Sequence, residues 1–510
     1  MNKFSYILSL IIFLLSVFCF YLSLDEFKLE YFFNSDLLYL PSLYKDIFID
    51  KFSFSGWRIT PAPYFFPDML IYFILMFLTN NFLLSTYLFG FMQSLTFLIL
   101  VSILIKELIP KVSYYELVLI NLVVSVIIIS LSVDSILFSL FVFLFMPSIH
   151  FGAFISTLLG IILLFKYLRK EKTPYLISIF LLVFIGSLSD RIFLIMFVVP
   201  TLLSLSILFV LNKPFSKIYF NIIVGVLISS ILAFLSYRFM PFIPSFGSMM
   251  SMLNSFKVFL KDIKNFLFSS FPFFLMFVFC ISSLVFTLVI LYKKLRDEPK
   301  DIFLIVYLLF FIFFTFFVLF IPIARGIYID IGGCRYNMHV FLYGIVNLAI
   351  LMVYILKSKK FLNYLNVILS LVIIIILISF PINSRLKDLL GYYPKTTKFL
   401  DEISKEYNLK YGISDYWNAK FNTMFSKSDL RIYAVCNDKD LRPYHWISNI
   451  KWYKGEEKSK YFNPCYKLVI LNGLNESFVL KKFGEPFVKL NNKEGLKVYL
   501  YNECLKLKFN

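Results

Sequence analysis

Thirteen apolar runs punctuate this chain, near residues 5–24, 69–79, 82–105, 117–132, 136–147, 151–168, 174–188, 192–211, 218–237, 271–291, 301–323, 339–356 and 361–380. Several reach the ~20 residues that a helix needs to cross the hydrocarbon of a bilayer. The whole composition agrees: 60% of the 510 residues are apolar and 16% charged, against roughly a half and a quarter in soluble domains. The expected fold is therefore an all-α polytopic membrane protein of about thirteen transmembrane helices. The net charge of +19 does not point to nucleic acid, because Lys and Arg are scattered through short loops. Cytoplasmic loop charge and contact with anionic lipid explain it better.

Residues 1–24 read as an uncleaved first helix, near full span length and without a small-residue cleavage site. With thirteen crossings and the N-terminus inside, the four richest basic loops (166–172, 212–217, 292–300 and 357–360) fall on the cytoplasmic side, as the positive-inside rule asks. The exception is 106–116, which places Lys106 and Lys111 outside. The same count puts 25–68, 238–270 and everything after 381 outside, dividing the chain into a transmembrane domain, 1–381, and a soluble extracytoplasmic domain, 382–510. In the latter, candidate strands at 409–413, 430–435, 467–471 and 497–501 alternate with candidate helices at 395–407, 417–425 and 475–483. That alternation suggests a small α/β or α+β domain. If the tail lies in an oxidising compartment, Cys436 and Cys465 are candidates for a disulfide.

Charge at a membrane boundary is costly and usually functional. Asp36, Asp68, His150, Asp190, Arg191, Arg238, Arg325, Asp330 and Arg335 all fall at the outer boundary on this count, and Asp134 alone at the inner one. A carboxylate at Asp36, in a partly buried first loop, suits a general base acting on an acceptor hydroxyl or amine. A helix cap is its plain alternative. Asp68, before an apolar run, reads equally as a helix-start residue. Asp190 and Arg191 are adjacent and can neutralise each other, yet Arg191, Arg325 and Arg335 together would make a phosphate cradle, since guanidinium matches phosphate oxygens. Tyr336 accompanies Arg335, and His150 brings an imidazole to the same side. Trp417, His445 and Trp446 in the tail suit a sugar ring, or a small domain core. No GxxxxGK, GxGxxG or HExxH motif is present. The sequence requires no cofactor, and a divalent metal stays open without a motif that supports it.

The stretch from Asp36-Leu37-Leu38-Tyr39 through Trp57 to Phe65-Phe66-Pro67-Asp68-Met69-Leu70-Ile71-Tyr72 resembles the first-loop motif of the C-type (GT-C) integral-membrane glycosyltransferases. In particular it is similar to the bacterial aminoarabinose and mannosyl transferase branch. About a dozen helices and an outer C-terminal domain match that layout. Leu37 stands where many members have a second acid, and Phe66-Pro67-Asp68 stands where they have a Lys-Pro-Pro-like step. A metal-binding acid pair and that lysine's donor contact are thus not carried over. The resemblance implies transfer of a sugar from a polyprenyl-phosphate or -diphosphate donor to a lipid or glycan acceptor, at the periplasmic face of a bacterial inner membrane. It gives Asp36 the role of base or acceptor-orienting carboxylate, and sets the Arg325–Tyr336 loop near the donor phosphate. A transporter or flippase of lipid-linked saccharides, and an O-antigen polymerase or ligase, are the competing classes.

Overall fold

The computed structural model describes residues 3–109, 111–211, 216–240, 250–296, 301–355, 359–380, 382–455, 459, 461 and 464–508. Parts of the basic loops 212–217, 292–300 and 357–360, and of the segment 238–270, lie outside these residues. Among the described residues nine helices are long and apolar enough to cross a membrane: Lys3–Leu22, Phe82–Leu108, Tyr114–Val133, Phe151–Lys170, Lys217–Tyr237, Phe271–Arg296, Ile302–Ala324, Ile331–Ile355 and Lys360–Ile378. Four shorter apolar helices, Phe65–Thr79, Ser135–Phe145, Thr173–Ser189 and Leu194–Val210, complete the bundle. Short polar residues start several of them: Asn81, Asp134 and Asp301 each accept a backbone N–H of the first turn, satisfying donors that a helix start leaves free.

Side-chain contacts fix which helix ends lie together. Lys3–Leu22 and Tyr114–Val133 run parallel. Asn121 donates to Ser9 at 2.8 Å near one end, and Lys28 donates to the Ser132 carbonyl at 3.1 Å near the other. Tyr21 donates to the Tyr87 carbonyl at 2.7 Å, so Phe82–Leu108 starts at the first-loop end. Its far end meets that of Phe151–Lys170, where Arg169 pairs with Glu107 at 3.8 Å.

Two expectations change in consequence. Lys106 and Lys111 belong to the end that carries the basic loop 166–172, and Asp134 belongs to the end that carries the first loop. The reason is that two of the thirteen runs do not traverse the bundle. Leu70–Thr79 has 10 residues, about 15 Å of helix, and it returns through Thr79 and Ser85 (2.7 Å) straight into the next helix. Ser135–Phe145 likewise begins beside Lys28 and ends beside His150, both at the first-loop end.

The tail folds into a five-stranded mixed sheet, order β3-β2-β5-β7-β6, from β2 (Tyr411–Ser414), β3 (Arg431–Ala434), β5 (Tyr466–Ile470), β6 (Val488–Asn491) and β7 (Lys497–Leu505). β2 is parallel to β3 and β5, while β7 runs antiparallel to β5 and β6. Side chains alternate across the sheet. Ile432, Leu468, Ile470, Val498 and Leu500 pack with Leu400 and Ile403 of the helix Lys395–Glu406. Tyr411, Ile413, Tyr433, Val469 and Tyr499 face the other way, into a cluster shared with the first loop, in which Trp452 and Tyr461 of the tail lie against Tyr433 and Tyr411 and meet Trp57 and Phe52 of the first loop.

The first loop therefore shares in covering this face of the tail's sheet, with Asp50 paired to Arg431 of β3. It even pairs with the tail through β1 (Trp57–Arg58) and β4 (Ser448–Asn449), antiparallel. The disulfide is Cys465–Cys504, not Cys436–Cys465. Register decides this: β5 and β7 are neighbours with Tyr466 opposite Leu505, whereas Cys436 follows β3, two strands away.

Candidate functional site

Asn34 Oδ1 accepts the backbone N–H groups of Asp36 and Leu37 at 3.0 and 3.1 Å. This Asx turn leaves the Asp36 carboxylate free of capping duty. Its two oxygens instead take charge-directed partners from distant parts of the chain. Tyr416 OH donates to Oδ1 at 2.7 Å, and Arg335 Nη1 donates to Oδ2 at 3.0 Å. Tyr416 opens a tail helix, Tyr416–Phe425, capped by Asp415. Ser35 clamps that helix start by donating to the Tyr416 and Trp417 carbonyls at 3.0 and 2.9 Å. Arg335 lies in the first turn after the Ile331–Gly333 3₁₀ turn, which Asp330 organises by accepting the Gly332 N–H at 2.8 Å.

From Arg335 the polar chain continues inward. Its guanidinium donates to Tyr336 OH at 3.3 Å, and the Tyr336 ring lies 4.9 Å from that of His150. His150 Nδ1 donates to Asp190 Oδ2 at 2.7 Å, and its Nε2 faces Tyr64 OH at 3.5 Å. His150 and Asp190 are both buried. Asp190 therefore spends its charge on His150 and not on its sequence neighbour. Arg191 is exposed and lies over the Tyr237 ring, 3.6 Å from its centroid. Tyr64 adopts a left-handed backbone (φ 57°) and is tied to Ser189 through its N–H at 3.0 Å. Burial first, then the Asp190 charge, pushes its hydroxyl well above the usual tyrosine range.

Asp68 sits one layer deeper. Its Oδ2 accepts the Ser148 N–H at 2.7 Å, while Oδ1 is buried without a hydrogen-bond partner. It presses on Gly152, where a Cβ would overlap Oδ1, so only glycine permits this approach.

Asp36, Arg335, Tyr336, His150, Asp190 and Asp68 are thus brought to one end of the bundle. The expected arginine cradle is not assembled. Arg335 is on Asp36, Arg191 is on Tyr237, and Arg325 is exposed at the end of Ile302–Ala324. In the tail, Trp417 is 56% exposed and edge-on to Tyr416, 5.1 Å away. His445 stands edge-on to Tyr453 at 5.4 Å, and burial with Arg58 and Lys454 nearby lowers its pKa. Trp446 lines a separate cavity behind Tyr416. The three do not form one aromatic platform. Among the described residues no group of three His, Cys, Asp or Glu side chains is placed to hold a metal ion.

Sequence reasoning missed Tyr416 and Tyr64, the second partners of Asp36 and His150. Each adjoins a residue that drew attention (Trp417 and Phe65), but a tyrosine in a chain with 33 of them carries no signal of its own. No protein-family model and no curated protein matches the chain.

Proposed function

We propose that this chain is a membrane glycosyltransferase that moves a sugar from a polyprenyl-phosphate or -diphosphate donor to a hydroxyl or amine acceptor, at the outer face of a bacterial inner membrane. The observation that carries the reading is the meeting of Asp36, Arg335 and Tyr416, from the first loop, the bundle and the tail, at one solvent-reachable point. A carboxylate base beside a guanidinium brings together the two things that displacement of a sugar from a phosphate requires, a proton acceptor and a cation for the leaving group. The acceptor oxygen or nitrogen attacks the anomeric carbon as its proton passes to Asp36. The bond from that carbon to the phosphate oxygen breaks, and the electron pair leaves on the phosphate, where Arg335 stabilises it. Tyr416 holds the carboxylate in aim.

The same reading sets eleven crossings: the nine long helices plus Thr173–Ser189 and Leu194–Val210, each 17 residues and about 26 Å long. Lys106 and Lys111 then lie inside with the other basic loops, in line with the positive-inside rule. The disulfide Cys465–Cys504 accords with a tail in an oxidising compartment.

The test is release of polyprenyl phosphate from a panel of polyprenyl-linked sugars by the protein in nanodiscs. Asp36→Asn should reduce turnover by about 10²–10⁴ while the fold is retained. Equal turnover in Asp36→Asn, or translocation of the lipid-linked sugar without release, would remove the transferase reading.

A further inference from the structure

Four residues after Tyr416, on the same face of its helix, lies Lys420. Its side chain is buried at 6% exposure, and its Nζ has no hydrogen-bond partner. The ammonium stands 5.3 Å from the centroid of the Tyr416 ring, on whose far end the hydroxyl holds Asp36. A small cavity of about 20 Å³ opens beside it, lined among others by Lys45, Asp46, Arg431, Trp446 and Ser448. That volume admits one oxygen-sized end of a ligand and not a whole phosphate. The acids around it are already engaged. Asp46 Oδ2 accepts Trp452 Nε1 at 2.7 Å and Asn449 Nδ2 at 3.3 Å, and Asp50 is paired with Arg431. Arg431 keeps its Nε without a partner. Lys45, Lys420 and Arg431 thus meet at a cavity whose lining holds one acid, Asp46, and a buried amine left without a hydrogen-bond partner is costly.

We propose that this cavity is an anion subsite, in which Lys420 Nζ takes the oxyanion end of a phosphate or carboxylate group entering between the first loop and the tail. Resting on the transferase reading above, the occupant is the acidic end of the substrate, held one tyrosine ring away from the base. Burial pushes Lys420 down to about 7 against the pull of Asp36 and Asp46, so the site gains its proton and its ligand together. Tyr416 then joins the two events, because the ring that shields Lys420 carries the hydroxyl that aims Asp36.

Trp446 and Trp452 line the cavity and report on it. Inorganic phosphate is titrated at constant ionic strength into the full-length protein in nanodiscs, following tryptophan fluorescence. The wild type should give a saturable change, weakened at least tenfold in Lys420→Met, which removes the charge and asks no hydrogen bond of the core, and in Lys420→Gln, which removes the charge but keeps a polar end. Circular dichroism and melting temperature check that each variant is folded. A saturable change that persists in Lys420→Met but is lost in Arg335→Gln would place the anion at Arg335 and overturn the proposal, as would no saturable change at all. A polyprenyl phosphate arm separates the sources. Competition with inorganic phosphate identifies the substrate's own phosphate as the occupant, and absence of competition overturns the substrate assignment. If the phosphate response holds while no donor is turned over, the subsite stands and the transferase reading falls.

Discussion

Replacing Arg431 by Met should unfasten the tail from the first loop. Arg431 and Asp50 pair with only 3% and 4% of their side chains exposed, one on β3 and the other in the first loop. The guanidinium also lies over the Tyr461 ring, 3.9 Å from its centroid. Met fills much of the same volume, so packing changes little and the loss is electrostatic: Asp50 is left as a buried carboxylate without its cation. Breaking a buried pair from one side costs about 3–5 kcal/mol, since the remaining charge is uncompensated. At 1.4 kcal/mol per tenfold change, opening of the interface should become about 10²–10³·⁵ times more frequent. Hydrogen exchange of the β2 and β3 amides, the strands whose outer face the first loop helps to cover, reads that opening directly. Asp50→Asn combined with Arg431→Met removes both charges and should recover most of the lost protection, because neutral partners have no such desolvation cost. Protection in Arg431→Met within a factor of about five of wild type, under 1 kcal/mol, would refute the reasoning. So would a double variant no better than the single one, since the cost would then come from packing and not from an orphaned charge.

Tyr416→Phe keeps the ring but removes one hydrogen bond to a charged acceptor, worth about 1.5–3 kcal/mol. Turnover in the polyprenyl-phosphate assay should fall about 10–100-fold, less than in Asp36→Asn, and an unchanged rate would take Tyr416 out of the site. Stability should depend on pH through Lys420. Its folded pKa of about 7 lies below the ordinary 10.5, so the unfolded chain binds more protons between those values and stability rises with pH. Wild type should gain on Lys420→Met by about 1.4 kcal/mol per pH unit from about 7 to 10, and parallel melting curves for the two proteins would contradict this. The proposed eleven crossings place Lys111 inside and Val133 outside. In intact cells a membrane-impermeant maleimide should label Val133→Cys and spare Lys111→Cys, and the reverse pattern would restore thirteen crossings.

The apolar runs declared a helical membrane protein, and the change to short alternating runs after 381 marked the strands of the tail. Both are local signals of hydrophobic period, which needs no knowledge of the partner. The sequence also singled out Asp36, His150, Asp190 and Arg335, because an ionisable group beside an apolar run is conspicuous wherever it points. It could not tell that Leu70–Thr79 and Ser135–Phe145 stay at one end of the bundle. Apolar composition looks alike in a helix facing lipid and in a helix packed under a loop. Because two such helices cancel in the count, only 80–135 was inverted, which is why Lys106, Lys111 and Asp134 alone stood against the expected topology.

What tertiary structure alone decided is the pairing. Asp36 meets Arg335 across 299 residues and Tyr416 across 380, and Asp50 meets Arg431 across 381. Cys465 chose Cys504 by strand register. Composition and periodicity fix what each segment is, since those depend on its exchange with water or lipid. Which segments touch depends on the packing of all the others, and in this chain the site is made at such a contact.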